Sequence, residues 1–297
     1  MASQRDIKRR ISSVQNTRKV TKAMEMVSAA RLRRAQQRIE ATRPYALRMV
    51  EFLGGLAETV DPDIYARFPL LDTRPEVRRA AVVAMTADRG LAGGFNASII
   101  RATNVRLQAY AAQGVEVDLL VVGKRGVGTF RFQGKTMVHT YQGITDRPTF
   151  LDAQGIAHTL ADLFVSGRAD RVDIIFNHFK SAMEQRVDQQ QILPIDPKAM
   201  TSGQEPVHSA WSQNFIFEPS AQEILRNLLP SYMEIAVYRA LLESTASEHG
   251  ARMTAMRNAS ETAGEMIDSL TLAMNRARQA SITQEILEVV AGAEALS

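Results

Sequence analysis

The sequence predicts an α/β central domain that carries a long antiparallel coiled coil of its N- and C-terminal helices. Two observations predict it. Both ends of the chain repeat apolar or small residues in alternating steps of four and three, the 3.5-residue period of a helical seam. The middle alternates short β-branched runs with amphipathic helical stretches, the signature of a small α/β domain. The expected division is an N-terminal coiled-coil helix over 1–60, a central α/β domain over 75–195, a linker over 196–218 and a C-terminal coiled-coil helix over 219–297.

The N-terminal helix is expected over 4–59. Its seam runs Ile7, Ile11, Val14 and Thr21, then Leu32, Ala35 and Ile39. Arg18, Glu25 and Ser28 fall where a strict seam wants apolar groups, so the seam is weakest within NTRKVTKAMEMVSAARLRRAQ, residues 16–36. Pro44 permits a kink, and Asp61, Pro62 and Asp63 end the element. In the middle, Ala81–Thr86, Asp118–Val122 and Val172–Phe176 read as strands, with helices expected over Asn96–Ala112 and Ala153–Val165. The stretch MEQRVDQQQILPI reads as an edge strand, and Pro194, Pro197 and Pro206 mark the linker. Near the C-terminal helix start, Ser220 and Glu223 form an S-x-x-E capping box, and Pro230 is expected to kink or restart the helix. Beyond it, Met253, Met256, Ser260, Ala263, Ile267, Leu270, Met274, Ala277 and Ser281 keep the seam period without a break.

Composition narrows the chemistry. Apolar residues make up 45 % of the 297, enough to bury a core. The absence of cysteine excludes disulfides, zinc-thiolate sites and thiol nucleophiles. No run approaches the roughly 20 apolar residues of a membrane span, and MASQRDIKRRISS lacks the apolar core of a secretory signal. Residues 1–50 hold thirteen bases against three acids in a chain of net charge +4. Such a stripe is either a solvated helix face or a surface for an acidic partner.

The glycine-rich motifs do not reach catalysis. DRGLAGGFN, Asp88–Asn96, follows a strand and precedes a helix, but lacks the lysine of a phosphate loop. GKRGVG, Gly123–Gly128, has the wrong spacing for a dinucleotide site and reads as a turn. The five histidines show no zinc spacing, and no G-x-S-x-G elbow holds a serine nucleophile. No catalytic, cofactor-binding or metal-binding residues are expected. The aromatic platforms of nucleic-acid readers are missing as well. On these residues alone, a structural coiled-coil adaptor and a basic RNA-binding α/β protein both stay open.

Three strings carry a resemblance. NTRKVTKAMEMVSAARLRRAQ, DRGLAGGFN and the C-terminal run ARMTAMRNASETAGEMIDSLTLAMNRARQASITQEILEVVAGAEAL resemble the gamma subunit family of F-type ATP synthases, of bacterial type. Of these, RARQASITQEI is the most specific. The resemblance implies a central rotor shaft inside a ring of three alpha and three beta subunits. Its base would lie against the epsilon subunit and the c-ring, peripheral to the cytoplasmic side of the inner (plasma) membrane. It implies no cofactor on this chain, with ATP, ADP and Mg expected on alpha and beta, and neither nucleic acid nor a membrane span. It further implies stator contact at Arg278 and Gln279, neighbouring contact at Thr283 and Glu285, a coupling role for Arg252, and a place for Met24 at the neck of the shaft. Polar seam positions such as Arg18 and Glu25 are expected to remain free for the stator. Some members carry cysteine where this chain has Ala92, and plant-type members carry a redox cysteine pair that this chain lacks.

Overall fold

The structure, a computed structural model, describes residues 4–59, 68–181, 184–196 and 220–294. In chain order the elements are α1 (Gln4–Thr59), a short 3-10 turn (Pro69–Leu71), β1 (Arg79–Met85), α2 (Phe95–Ala112), β2 (Glu116–Val122) and α3 (Lys124–Phe132). They continue with β3 (His139–Tyr141), α4 (Phe150–Val165), β4 (Arg171–Phe179), β5 (Gln185–Leu193) and α5 (Ala221–Glu294). The chain forms two compact units, one of Met1–Ala29 with Arg252–Ser297 and one of Ala30–Ala251. The expected stop at Asp61–Asp63 and the expected linker beyond Asp196 lie outside the described residues.

The Ala30–Ala251 unit is built on a five-stranded sheet in the order β3-β2-β1-β4-β5. The first four strands pair in parallel, and β5 closes one edge antiparallel to β4. Both faces of the central strands are covered, so they read as nearly continuous apolar runs. Within them the period of two still sorts the side chains. On β1, Ala81, Val83 and Met85 join one core, with Ile156 and Leu160 of α4, Leu53 of α1 and Leu241 of α5. Ala80, Val82 and Ala84 join the other, with Ile99 of α2 and Phe130 of α3. The edge strand is largely polar, which leaves a poor template for further strand pairing.

The structure corrects the reading of GKRGVG. It is not a free turn but the start of α3, which the sequence pattern missed along with the three-residue β3. Gly123 has φ 93°, and a side chain there would meet the Thr86 carbonyl at 2.4 Å. A β-carbon on Gly126 would lie 2.5 Å from the Thr86 hydroxyl, which instead accepts the Gly126 N–H at 2.9 Å. The glycines therefore serve close packing of helix on strand. The expected restart at Pro230 is also absent. Pro230 stands in the third turn of α5, and helix is continuous on both sides of it. At the helix start, Ser220 Oγ accepts the Glu223 N–H at 3.2 Å, as an N-cap does.

One buried polar cluster fastens α2 to the sheet. Asp173 of β4 is wholly buried on the α2 face. Its carboxylate accepts from Arg106 Nη2 at 2.7 Å, Tyr110 Oη at 2.5 Å and Arg171 Nε at 3.0 Å. Burial, then the bond to the Asp173 carboxylate, pushes the Tyr110 phenol up to about 12. A raised phenol stabilises the fold fully below its ordinary value near 10 and loses that contribution as pH rises to about 12. The expected outcome is a fall in stability across that window of about 2 kcal/mol attributable to this group. Alkaline urea titrations followed by circular dichroism check it: Tyr110→Phe is to show a shallower pH dependence between 10 and 12 than the parent.

Candidate functional surface

The strand order reverses between β1 and β4, and in open parallel sheets the crevice beyond the strand ends at that point receives the ligand. In this chain a segment of its own α5 fills it. Ser244 Oγ donates to the Met85 carbonyl at the end of β1 at 3.3 Å, and Ser247 Oγ donates to the Asn177 carbonyl on β4 at 3.1 Å. Thr245 donates to the Thr145 carbonyl at 3.0 Å. His178 of β4 is paired with Glu243, which also accepts from Arg239 at 2.8 Å. Ser244, Thr245, Ser247, Glu248 and His249 are all buried. A run of small and polar residues on a buried helix was the sequence signal for this docking, and sequence reasoning passed over it.

DRGLAGGFN is organised around Asp88 rather than around a phosphate. Asp88 Oδ1 accepts the N–H of Lys124 at 3.0 Å and of Gly143 at 2.9 Å. Oδ2 accepts the N–H and hydroxyl of Thr145 at 3.1 and 2.9 Å. Burial raises this carboxyl, but the N–H groups of Gly143, Thr145 and Lys124 outweigh it and hold it below its ordinary value. Asn96 Oδ1 accepts the Ala87 N–H at 2.8 Å, closing the loop across its base. Leu91 stands at φ 61°, so the tight loop is held in a conformation that a non-glycine residue rarely adopts.

The second region is the helical pair in the unit of Met1–Ala29 and Arg252–Ser297. Arg257 Nε donates to Glu25 Oε1 at 3.1 Å, and the Arg18 guanidinium lies 3.5 Å from where a Gly264 β-carbon would stand. Seven residues back on α1 correspond to seven residues forward on α5, so the two segments run antiparallel at one heptad per step. Their seam is made of small and polar groups: Thr21, Glu25 and Ser28 on α1, and Ser260 and Ala263 beside Met256 on α5. Continued at the same register, the pairing brings Gln4 opposite about Arg278. Every described residue from Arg278 to Ala291 is exposed, including Ile282, Ile286, Leu287, Val289 and Val290.

Glu25 overturns one expectation. It is not left free for a partner but is buried in the seam, where Lys22 Nζ at 3.0 Å and Arg257 engage its two oxygens. Ser28 is likewise buried, its hydroxyl bonded to the Met24 carbonyl at 2.7 Å. Arg18 remains exposed. The weak seam is thus a polar seam: where greasy anchors are missing, a carboxylate between two cations replaces them. Sequence reasoning assigned no partner to Glu25 because Arg257 lies 232 positions away.

The six expected contact residues separate by surroundings. Arg278, Gln279, Thr283 and Glu285 are exposed on α5, where Thr283 Oγ1 bonds the Gln279 carbonyl at 2.9 Å and Ser281 Oγ bonds Glu285 at 3.2 Å. Met24 is half-buried beside the seam. Arg252 is buried and engaged by an interaction within the chain. Among the described residues, no group of three acidic, histidine or cysteine side chains is placed to hold a metal, and no helix is long and apolar enough to cross a membrane.

A family model described as ATP synthase matches residues 3–296. The chain is 47 % identical over 296 residues to the ATP synthase gamma chain of Moorella thermoacetica, with all of both chains covered. It is 45 % identical over 297 residues to that of Rubrobacter xylanophilus, covering 100 % of this chain and 99 % of that one. Among solved structures it resembles a chain of the central stalk and c-ring of the Tetrahymena thermophila mitochondrial ATP synthase, with a TM-score of 0.59 and 29 % identity. That likeness covers 81 % of this chain and 99 % of the other. A chain of the Euglena gracilis mitochondrial enzyme in rotational state 3 shares the fold, with a TM-score of 0.68, 17 % identity and coverage of 99 % and 94 %.

The Glu25 cluster yields a prediction with a definite sign. Lys22, then Arg257, hold its carboxyl below the ordinary value. The stability this provides is present above the ordinary carboxylate range near pH 4.3 and is lost as pH falls through the lower folded value. Both cations are more than half exposed, so the expected cost of Glu25→Gln at neutral pH is about 1 kcal/mol after screening. Urea unfolding at pH 7 and pH 3 checks it: the difference from the parent is to shrink at the lower pH.

Proposed function

We infer that this chain, which belongs to the ATP synthase family, is the central rotor shaft of an F-type ATP synthase. The observation that carries the reading is the end-to-end match to ATP synthase gamma chains, with all of this chain and all of the relative covered at 47 % identity. The helical pair supports it physically. In this role c-ring rotation, driven by ion flow, turns the shaft, and the shaft carries the three catalytic sites on the beta subunits through their conformations in turn. The chain is a non-catalytic subunit. Its partners are three alpha and three beta subunits, the epsilon subunit and the c-ring, and ATP, ADP and Mg bind on alpha and beta. It lies peripheral to the cytoplasmic side of the inner (plasma) membrane.

The proposed division is terminal coiled-coil helices over 1–60 and 219–297, a central α/β domain over 75–195 and a linker over 196–218, with the stretches of both helices inside Ala30–Ala251 packed on the sheet. The stator-contact set is Met24, Arg252, Arg278, Gln279, Thr283 and Glu285. Arg278 offers a planar fork of donors and Gln279 both a donor and an acceptor, on adjacent positions that project about 100° apart on the helix. Thr283 and Glu285 extend the same polar surface toward the helix end. Arg252 is covered by its own chain and serves coupling through that packing. A shaft that faces three copies of one surface in turn must hold none of them fast, because a preference of about 1.4 kcal/mol already biases occupancy tenfold. Small seam residues and short polar side chains keep the relief low and the surface nearly indifferent to angle.

Reconstitution with alpha and beta subunits, followed by single-molecule observation of ATP hydrolysis, tests the function directly. Stepwise rotation of a bead fixed to this chain, in one direction and in thirds of a turn, is the expected result. A complex that forms and hydrolyses ATP while the bead stays still refutes the shaft role. In the same complex, Arg278→Leu is expected to lower turnover by roughly ten- to a hundredfold, the equivalent of one lost charge-assisted contact. The isolated variant is to keep its unfolding free energy within about 0.5 kcal/mol, as exposed substitutions do. Equal turnover of variant and parent complexes would return Arg278 to the solvated face of the helix.

A further inference from the structure

We propose that the Ala30–Ala251 unit holds a binding site for a single tetrahedral oxyanion of the phosphate class, in a cavity ringed by Arg31, Arg34, Arg38 and Arg147. The three arginines of α1 stand at i, i+3 and i+7, which places them on one face of the helix. The loop between β3 and α4 brings Asp146 and Arg147 to the same cavity, and α5 contributes the buried His249. The water-accessible space is about 40 Å³, roughly three times the room one water needs, and it opens to solvent, which suits a compact ion or the phosphoryl end of a larger molecule.

The charge balance sets the ligand's sign. Asp146 is the single carboxylate among the lining residues, and it is already held: Arg31 bonds its Oδ1, and Arg89 lies 3.8 Å from its Oδ2. Arg34, Arg38 and Arg147 are left with no carboxylate in the lining. Arg34, Arg38 and Arg147 are exposed and line one small space with Arg31, and like charges gathered there self-repel unless an anion lies between them. Planar donor forks approaching from several directions match the oxygens of a tetrahedral ion better than the two coplanar oxygens of one carboxylate. The floor keeps the site in shape. The Thr245 hydroxyl is committed to the Thr145 and Leu241 carbonyls, so this wall is fixed by α5 and does not compete for the ion. The site belongs to this chain alone and does not depend on the shaft function.

The test uses the full-length chain in a low-chloride buffer free of phosphate, titrated with inorganic phosphate and followed by calorimetry and phosphorus NMR. Saturable binding with a dissociation constant below about 1 mM is expected. The double variant Arg34→Gln/Arg147→Gln is to weaken it at least about tenfold, the loss of one or more charge-assisted bonds, with an unchanged circular dichroism spectrum and melting temperature. Arg131→Gln, an exposed change at the end of α3, removes the same charge elsewhere and is to leave binding unaltered. A parallel titration with AMP separates the sources. Equal affinity means that the site takes the phosphoryl group of a larger ligand, and binding of inorganic phosphate alone means that it takes the free ion. Absence of saturation at about 10 mM phosphate, where a site of the stated affinity would be filled, overturns the proposal. So does binding that Arg131→Gln weakens as much as the double variant, since attraction to net charge would then explain it.

Discussion

Backbone carbonyls at the open end of a parallel sheet need donors, and in this chain the donors come from a helix more than sixty residues further along. Ser244 and Ser247 of α5 serve the carbonyls of Met85 and Asn177, on the two strands that flank the reversal of strand order. Each such bond contributes only about 1 kcal/mol net, but an unpaired buried carbonyl would cost more. The arrangement requires small hydroxyl side chains, because a bulky group would lift the helix off the strand ends. It also occupies the space where folds of this class receive nucleotides. An architecture capable of binding a small molecule is thereby committed to holding a helix.

The loops around that contact follow from it. Asp88 collects the N–H groups of Lys124, Gly143 and Thr145, so three loops at one end of the sheet are tied to one carboxylate. Thr145 in turn offers its carbonyl to Thr245 of α5. Gly123 and Gly126 let α3 approach Thr86 at distances that no side chain permits. The apparent phosphate-loop features of these glycine-rich stretches have the same origin as their structural role. Tight strand-to-helix turns need glycine whether or not a ligand is present.

The helical pair solves a different problem. A seam rich in Thr, Ser and Ala buries little apolar area, and apolar area is the main source of coiled-coil stability. The Glu25 carboxylate, held between Lys22 and Arg257, supplies part of what is missing and also sets register, since a buried charge without its partner is costly. Slim packing of this kind keeps the surface in low relief, as a rotating element requires. Beyond the paired stretch, α5 exposes Ile282, Ile286, Leu287, Val289 and Val290, a contiguous apolar surface that fits a helix end enclosed by other subunits.

Local chemistry by itself determined much of this protein. The seam period at both ends, the β-branched strands Ala81–Thr86, Asp118–Val122 and Val172–Phe176, and the polar edge strand were legible because periodicity and propensity act over a few residues. The family was legible from strings such as RARQASITQEI. The start of α3 at GKRGVG was not, because a helix rich in glycine and only nine residues long depends on its packing, with Gly126 against Thr86 and Val121 and with Val127 and Phe130 in the core. Nor was the passage of helix through Pro230, where neighbours such as Leu229 and Met233 are buried in the core and outweigh the local penalty. The burial of Glu25 in the seam is illegible for the same reason. Sequence marks Glu25 as a defect, whereas only the tertiary structure brings Arg257 to it across 232 residues. The docking of Ser244 and Ser247 and the gathering of arginines around Asp146 belong to that class too, since both arise from parts of the chain that meet in space without being neighbours along it.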